Sequence, residues 1–392
     1  MYQGLRYHLQ LPRVAMQRAR AGWGKRLAVG SLRWETLPDP DLKVAAPWLA
    51  LEPRMSGICG SDLGVLTGRA SPYLAPLTSF PAVLGHEVVA EVQGSAGPWP
   101  RGTRVVVDPT LGCRARGLPL CSACAEGRDD GCERRADSNL GPGLLLGFHS
   151  ELPGGWSTRM WAPQAQLYPL PDALPTRRAV LTEPLAIVAA GLAAMDFARV
   201  RRVLVLGAGT LGLLATWWLS ETHSVETTVL ARYPHQAALA RQLGAARLLA
   251  DDGAGRAALA GAPLGRPLFG APPYHPGGVD LTVDTVGSAS TFKTALELTR
   301  PDGQILVLGA LQSPARDLTP VWARRLTIRG SYGYRHRGAS VFPHVLSLLP
   351  HAPVLDALVT RTWPLDRYPD AIASVLDHRR GTVKAAFEAR PD

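Results

Sequence analysis

The spacing of hydrophobic residues along the chain changes character near Arg178. Before that point, short β-rich runs such as Val88–Val92 and residues 103–107 alternate with turn signals, and this alternation predicts strands. Beyond it, apolar runs such as residues 203–206 alternate with segments of helical period such as residues 211–219. The first pattern predicts a β-barrel-like half, and the second predicts a parallel sheet covered by helices on both faces.

This change divides an α/β chain into three segments. Residues 1–180 are expected to form one domain that carries a separate lobe at residues 110–135, and residues 181–330 are expected to form a second domain. Residues 331–392 are expected to return to the first domain and complete it. The lobe has no apolar period of its own, so we expect a bound metal to hold it together.

The longest apolar region, residues 179–198, predicts a buried helix. It is interrupted by Glu183, Pro184 and Asp196, whereas a membrane span needs ~20 mostly uncharged residues. Its helical period begins at a threonine, Thr182, which we expect to cap the helix. The basic amino-terminal segment has no apolar stretch between its charges, so it does not resemble a secretory signal.

The composition fits a soluble globular protein, with 46% hydrophobic and 19% charged residues in a chain of 392. The net charge is +10, but its arginines and four lysines are spread along the sequence. A nucleic-acid reader usually clusters basic residues on one face, so we expect neither a nucleic-acid nor a membrane partner.

Every cysteine of the chain falls where a zinc ion would use it. Four of the five form a C-x7-C-x2-C-x7-C run, which predicts a closed, structural zinc site: Cys113, Cys121, Cys124 and Cys132. An odd number of thiols, all assignable to metal, argues against a disulfide framework and fits a reducing cytoplasm.

The fifth cysteine, Cys59, belongs to a second candidate metal site. Together with His86, Glu87 and Glu183 it offers a thiolate, an imidazole and carboxylate oxygen, a mixed set that suits a catalytic zinc with one open position. Ser61 is placed to pass a substrate hydroxyl proton toward solvent. Taken singly, each ligand also fits a structural role, such as a small buried hydrophobe, a turn histidine or a carboxylate at a helix start.

A glycine-rich loop follows the apolar run at residues 203–206 and opens a helix. Its glycines permit a tight turn, close approach of a pyrophosphate and close packing of helix on strand. Helix amides then face the phosphates. The loop therefore predicts a dinucleotide site made by Gly207, Gly209, Thr210, Leu211 and Gly212.

The next strand lacks the acidic residue that would bind the ribose hydroxyls of NAD. Ala231 stands there and Arg232 follows, which favours a 2′-phosphate and hence NADP over NAD, with His235 and Arg241 able to add charge. The alternative is an Arg232 that stacks on adenine in an NAD site. We also expect Val286 and Leu308, near the ends of later strands, to contact the cofactor.

Two zinc ions and a nicotinamide cofactor imply hydride transfer between the cofactor and an alcohol or carbonyl carbon. Aromatic and histidine side chains on either side of the second domain are candidates to line the substrate pocket, although each is also compatible with ordinary packing. They are Phe148, His149, Trp156, Tyr332 and Tyr334.

The Cys59-Gly60-Ser61-Asp62, Gly85-His86-Glu87 and Glu183-Pro184-Leu185 motifs resemble the zinc-dependent medium-chain dehydrogenase/reductase superfamily, most closely its polyol- and threonine-dehydrogenase-like branch. The resemblance covers about residues 27–387. It implies a GroES-like catalytic domain, a Rossmann domain and a homodimer or homotetramer. It also implies that both glutamates of these motifs belong to the zinc site.

The chain departs from that resemblance in two places. The family's first cysteine gap is two residues, whereas seven residues separate Cys113 from Cys121. Many relatives carry a relay histidine where this chain has Gly64, so the proton path must use another group, for which His149 is a candidate.

Two other functions remain open at this point. One is a zinc-free enone reductase of the same fold, for which the residues of the second metal site would have no use. The other is a non-enzymatic zinc-ribbon protein that binds nucleic acid, which leaves the glycine loop unexplained. Metal analysis separates them, because the dehydrogenase requires two zinc ions per chain.

Overall fold

A computed structural model describes residues 1–10, 31–42, 46–95, 97–137, 140–265, 273–311, 317–377 and 381–388. Most of the basic amino-terminal segment lies outside these ranges. Internal contacts divide the chain into two compact units. The first unit comprises Met1–Glu183 and Gly333–Asp392, and the second comprises Pro184–Tyr332.

The strands follow one another in the order β1 (Tyr2–Tyr7), β2 (Leu32–Leu37), β3 (Trp48–Gly57), β4 (Ala82–Val83), β5 (Val88–Val92), β6 (Arg104–Val107), β7 (Met160–Pro163), β8 (Leu167–Pro169), β9 (Arg202–Leu206), β10 (Glu226–Leu230), β11 (Arg247–Leu248), β12 (Val279–Asp284), β13 (Thr299–Val307), β14 (Thr327–Gly330), β15 (Arg335–His336), β16 (Ala339–Ser340), β17 (Val359–Trp363) and β18 (Lys384–Glu388).

The α-helices are α1 (Gly60–Leu66), α2 (Ser122–Ala125), α3 (Thr176–Ala179), α4 (Thr182–Ala193), α5 (Thr210–Thr222), α6 (Pro234–Gln242), α7 (Gly253–Ala260), α8 (Ala289–Leu298), α9 (Thr319–Ala323), α10 (Phe342–Leu348) and α11 (Tyr368–Leu376). Short 3-10 helices lie at Pro72–Leu77, Asp129–Gly131, Gln164–Gln166, Leu349–His351, Pro353–Leu358 and Leu365–Arg367.

The first unit is built on a seven-stranded sheet in the order β17-β18-β3-β5-β6-β8, with β7 also pairing with β3. Most pairings are antiparallel, and buried positions alternate along the first part of β3 as expected for a strand with one face in the core. Because β18 pairs with β3, the last described residues complete a sheet begun early in the chain.

The second unit contains a six-stranded sheet in the order β11-β10-β9-β12-β13-β14, and every pairing is parallel. This order reverses between β9 and β12, which is the switch point of a Rossmann sheet. The apolar residues of β9 are fully buried, as predicted for a strand covered on both faces. The predicted α/β fold is therefore confirmed.

The long apolar helix differs from its prediction. The helical period was read as far as residue 197, but α4 spans only Thr182–Ala193, and the short helix α3 ends at Ala179 before it. The expected cap at Thr182 is wrong, because this residue lies within α4 and its hydroxyl donates a hydrogen bond to the carbonyl of Ala179 at 2.7 Å. A cap would accept a bond from a backbone amide instead.

Trp156 anchors the core of the first unit. Its ring is fully buried, its Nε1 donates to the carbonyl of Gly57 at 3.2 Å, and it meets the ring of Phe387 edge-on with centroids 5.1 Å apart. The core thereby joins β18 to residues early in the chain.

We expect Trp156→Ala to lower the free energy of unfolding of the first unit by about 3–5 kcal/mol, because a large buried ring leaves a cavity. Urea denaturation followed by circular dichroism measures the change. The control is Trp34→Ala, because Trp34 lies in the same unit and is 38% exposed. Equal losses in the two variants would contradict the anchoring role.

Candidate active site and metal centres

The four cysteines of the lobe converge. Their sulfur atoms all lie within 4.8 Å of one another and all four residues are buried. The sulfurs of Cys113 and Cys132 are 3.6 Å apart, close to the separation of about 3.8 Å in a zinc tetrahedron with bonds of about 2.3 Å. None of the five cysteines forms a disulfide. The widened first gap thus still allows a geometry that fits zinc.

Backbone amides stabilise the sulfurs. The amides of Cys121, Cys124 and Arg134 donate to Cys113, Cys121 and Cys132 at 3.4–3.5 Å. Such bonds favour thiolates. Hydrogen bonds from Glu133 and Cys124 lower the pKa of Cys121 to about 6, whereas burial raises the pKa of Cys124 above its usual value.

The residues added to the widened gap also order the lobe. Arg116 is 1% exposed and donates to the carbonyl oxygens of Leu111, Asp137, Gly141 and Gly143 at 2.7–3.1 Å. One guanidinium therefore ties the inserted segment to the loop that follows the last cysteine.

Cys59 occupies the start of α1 in the second candidate site. Its amide donates to Asp62 Oδ2 at 2.9 Å, and its sulfur takes part in a capping box at the helix N-terminus. Asp62 therefore acts as a structural hydrogen-bond acceptor at this helix start. The thiol is therefore held in place by its own helix.

His86 lies beside this helix. Its Nδ1 is 3.5 Å from Asp62 Oδ1, and its Nε2 is 3.3 Å from the hydroxyl of the exposed Ser61. Burial by itself lowers the pKa of His86, but Asp62 and Cys59 together raise it well above its usual value. A carboxylate at Nδ1 orients the ring so that Nε2 is the nitrogen available to a metal.

Glu87 is paired with a residue that the sequence did not single out. Lys384 Nζ forms an ion pair with Glu87 Oε2 and donates to the carbonyl of Ile58 at 3.3 Å. Both charged side chains are at most 2% exposed. Burial lowers the pKa of Lys384, but Glu87 and Cys59 raise it above its usual value, so the lysine keeps its charge. A Cβ at Gly57 would collide with Glu87.

Glu183 faces the hydroxyl of Tyr334, which donates to its Oε1 at 2.5 Å. Burial raises the pKa of Glu183 to about 7, with Glu87 adding to the rise, while His86, Tyr334 and Lys384 oppose it. The electrostatic influence of His86, Glu87 and Lys384 on this carboxyl indicates that the structure brings the four groups into one neighbourhood.

The two candidate metal sites differ in how closely their ligand atoms approach. Within the described ranges, the four lobe cysteines are the one group of three or more His, Cys, Asp or Glu side chains that converges closely enough to hold an ion. In the second site, Glu87 forms an ion pair with Lys384, and Glu183 accepts a hydrogen bond from Tyr334. These partners explain why its ligand atoms lie further apart.

The glycine loop of the second unit has the features that a pyrophosphate requires. Gly207 has φ of +94°, and a Cβ at Gly212 would collide with the carbonyl of Gly207. A Cβ at Gly209 would meet nothing within 4 Å, so the space beside it is open. No side chain caps the start of α5, which begins at Thr210 and continues through Leu211. The loop therefore offers backbone amides to an anion.

A second turn adjoins this loop. Asp284 Oδ1 accepts the amides of Val286 and Gly287 at 3.0 Å, and Thr285 Oγ1 donates to the carbonyl of Leu206 at 2.9 Å. Val286 is 48% exposed, whereas Leu308 is 9% exposed. Of the two residues expected at the cofactor, Val286 therefore offers an accessible apolar surface beside the glycine loop.

A cationic and aromatic cluster follows β10. The guanidinium carbon of Arg232 lies 5.7 Å from the centre of the Tyr233 ring, and that ring stacks on His235 at 5.7 Å and 13°. Arg232 is exposed and Ala231 partly buried. The Nε2 of His235 is buried without a hydrogen-bond partner among the described residues.

The five pocket candidates have different surroundings. Phe148 lies 5.3 Å from the His86 ring, and Tyr334 contacts Glu183. Trp156 is a fully buried core residue, which favours ordinary packing of the two alternatives left open for it. His149 is fully buried, accepts the amide of Glu151 at 3.0 Å, and has its pKa lowered to about 4 by burial and Arg116. This burial argues against a relay to solvent. Tyr332, in the second unit, is 50% exposed.

Comparison with known proteins agrees with this arrangement. Residues 46–172 match the alcohol dehydrogenase GroES-like domain, and residues 210–350 match the zinc-binding dehydrogenase domain. The chain belongs to the zinc-dependent medium-chain dehydrogenase/reductase superfamily. It is an oxidoreductase that uses a nicotinamide cofactor.

Individual relatives share about a quarter of their residues with the chain. Starvation-sensing protein RspB of Escherichia coli is 27% identical over 82% of this chain and 86% of its own length. L-Galactonate-5-dehydrogenase of E. coli is 26% identical over 84% of this chain and 88% of its own length. The structure of 2R,3R-butanediol dehydrogenase from Bacillus subtilis is 22% identical, covers 100% of both chains and has a TM-score of 0.74.

In the described ranges, no helix has the length and apolar character needed to cross a membrane.

The pKa values of the lobe predict pH-dependent zinc binding. Because the raised pKa keeps Cys124 protonated at neutral pH without metal, zinc must displace that proton, and affinity should rise about tenfold per pH unit for each proton displaced. Competition between demetallated protein and a chromophoric chelator from pH 6.5 to 8 measures this. A pH-independent affinity would contradict the assignment.

Proposed function

We propose that the enzyme oxidises a secondary hydroxyl of a small polyol or related hydroxy compound, or reduces the matching carbonyl, with zinc at the site of Cys59. The observation that carries the proposal is that His86 contacts Ser61 and Asp62 on the helix that Cys59 caps, while the charge of His86 acts on the buried carboxyl of Glu183. Two relatives are named for a sugar acid and a diol, which supports a substrate with neighbouring hydroxyls.

We assign Cys59, His86 and Glu183 as the residues that hold the catalytic zinc. The ion pair with Lys384 supports a different task for Glu87, which balances the lysine and acts on the metal through its charge rather than as a close ligand. The second zinc belongs to Cys113, Cys121, Cys124 and Cys132, whose thiolate set suits a closed structural site.

The chemistry divides between the bound groups and the chain. Zinc, when bound, supplies a Lewis acid for the substrate oxygen, and the nicotinamide exchanges hydride with the substrate carbon. Ser61 is exposed and its hydroxyl is 3.3 Å from His86, so it can accept the hydroxyl proton and pass it to water without a histidine at Gly64. Phe148 packs beside His86 and excludes water from that side.

The enzyme prefers NADP to NAD in this proposal. Arg232 and the unpartnered Nε2 of His235 offer donors where an acidic residue would otherwise bind the ribose, and Ala231 introduces no negative charge. A 2′-phosphate forms charge-assisted bonds with a guanidinium, which supports this reading.

The assembly is proposed to be a homodimer or homotetramer in the cytoplasm. All four residues of β14, at one edge of the parallel sheet, are exposed, and an unpaired edge invites pairing with a second copy. The five free thiols suit a reducing compartment.

A paired substitution tests the two metal sites. Cys59→Ser and Cys124→Ser should each reduce the zinc content from two ions per chain to one. Only Cys59→Ser should abolish turnover while the fold and cofactor binding stay intact. The assay follows reduced nicotinamide absorbance with diols, sugar alcohols, hydroxy acids and aldehydes, and zinc is measured by plasma emission. Full activity in Cys59→Ser would refute the catalytic assignment.

Arg232→Ala tests the cofactor preference. We expect kcat/KM for NADP to fall by about 10- to 150-fold, because a charge-assisted bond to phosphate contributes about 1.5–3 kcal/mol, while the value for NAD changes little. Arg199→Ala is the control, because Arg199 is an exposed arginine of the second unit that precedes β9. Equal losses for both cofactors would remove the argument for the phosphate.

A further inference from the structure

Residues 333–342 of the first unit lie directly against the four-cysteine lobe. Gly127 of the lobe and Gly338 approach so closely that a Cβ on Gly127 would collide with the carbonyl oxygen of Gly338. A Cβ on Gly333 would likewise collide with the carboxylate of Asp130. All three glycines have φ between +75° and +89°, so the backbone conformation also favours glycine.

Arg335 adds an electrostatic link at the same contact. Its Nη2 lies 2.9 Å from Asp129 Oδ2 and 3.4 Å from Asp108 Oδ2. The other oxygen of Asp129 accepts a bond from Arg114 Nη1 at 3.0 Å, and Arg114 also donates to the carbonyl of Cys124 at 3.1 Å. Arg114 and Asp129 therefore link the backbone of Cys124 to Arg335 through a hydrogen bond and two ion pairs.

The burial of these groups makes the link sensitive to substitution. The side chains of Arg335, Asp129 and Asp108 are 16%, 10% and 0% exposed. Solvent screens such pairs much less than surface pairs, and removal of one partner leaves a buried charge without compensation. The three side chains thus hold one another in fixed positions.

Arg335 directly follows the residue that contacts the candidate catalytic carboxyl. Tyr334 is 3% exposed, donates to Glu183 at 2.5 Å and packs edge-on against Phe342 at 5.5 Å. We propose that Arg335 is a positioning residue through which the four-cysteine lobe holds Tyr334 against Glu183. This inference rests on the proposed function in one respect, namely that Glu183 belongs to the active site.

The lobe then has a second task besides its own folding. Its contacts with Gly333, Arg335 and Gly338 fix the segment that contains β15 and β16, so the Tyr334 hydroxyl is already oriented when substrate arrives. Displacement of a group by about 1 Å can cost up to about 100-fold in rate, which makes small movements of this segment consequential.

Epistasis between two substitutions tests the proposal. Arg335→Gln should lower kcat about 10- to 100-fold with little change in KM for the cofactor, and Arg335→Lys should recover part of the loss because it keeps the charge. In a Tyr334→Phe background, Arg335→Gln should cause no further loss. Independent, multiplicative effects of the two substitutions would overturn the proposal. Arg361→Gln, an exposed arginine of the first unit, is the control.

Hydrogen exchange supplies a readout that does not depend on activity. Asp129→Asn should accelerate amide exchange in the peptide spanning residues 334–341, where Val341 N–H donates to the Tyr334 carbonyl at 2.9 Å, while both zinc ions are retained. Unchanged exchange there would overturn the link. If the parent protein fails to oxidise any alcohol, the proposed function fails, whereas this exchange measurement still decides whether the lobe holds the segment.

Discussion

Ionisable side chains are buried in the first unit, and each must have a partner because an isolated charge in the protein interior is costly. Asp62, His86, Glu87, Glu183 and Lys384 are all at most 6% exposed. Asp62 faces His86, Lys384 faces Glu87, and Tyr334 supplies a hydrogen bond to Glu183. These partnerships determine the orientation of every candidate ligand in the second metal site except the thiol, which is set by α1.

The features that could be predicted from sequence are those with local causes. The run of residues 203–206 indicated a buried strand, and the glycine spacing after it indicated the cofactor loop, because turn geometry and helix start lie within a few residues. The lobe was equally accessible, since the spacing of four thiols limits what they can bind. The family and its nicotinamide chemistry follow from these local motifs.

The features that could not be predicted depend on contacts between distant segments. Lys384 is one of only four lysines in the chain, and nothing near it in the sequence indicates Glu87 as its partner. Tyr334 was recognised as a pocket candidate, but its bond to Glu183 spans 151 positions. The sequence left Trp156 open between pocket and core for a related reason, because the ring of Phe387 that it packs against lies far away along the chain.

The pairing of β18 with β3 has a consequence for how the molecule is made. Lys384 and Ile58, which share a hydrogen bond, are separated by 326 positions, and the whole second unit lies between them. During translation the early half of the barrel leaves the ribosome with its carboxylates uncompensated, and the second unit can fold before the counter-charge exists. The candidate active site is therefore completed only after the second unit has been synthesised, and nascent chains arrested before β18 would contain a complete dinucleotide fold beside an unfinished first unit.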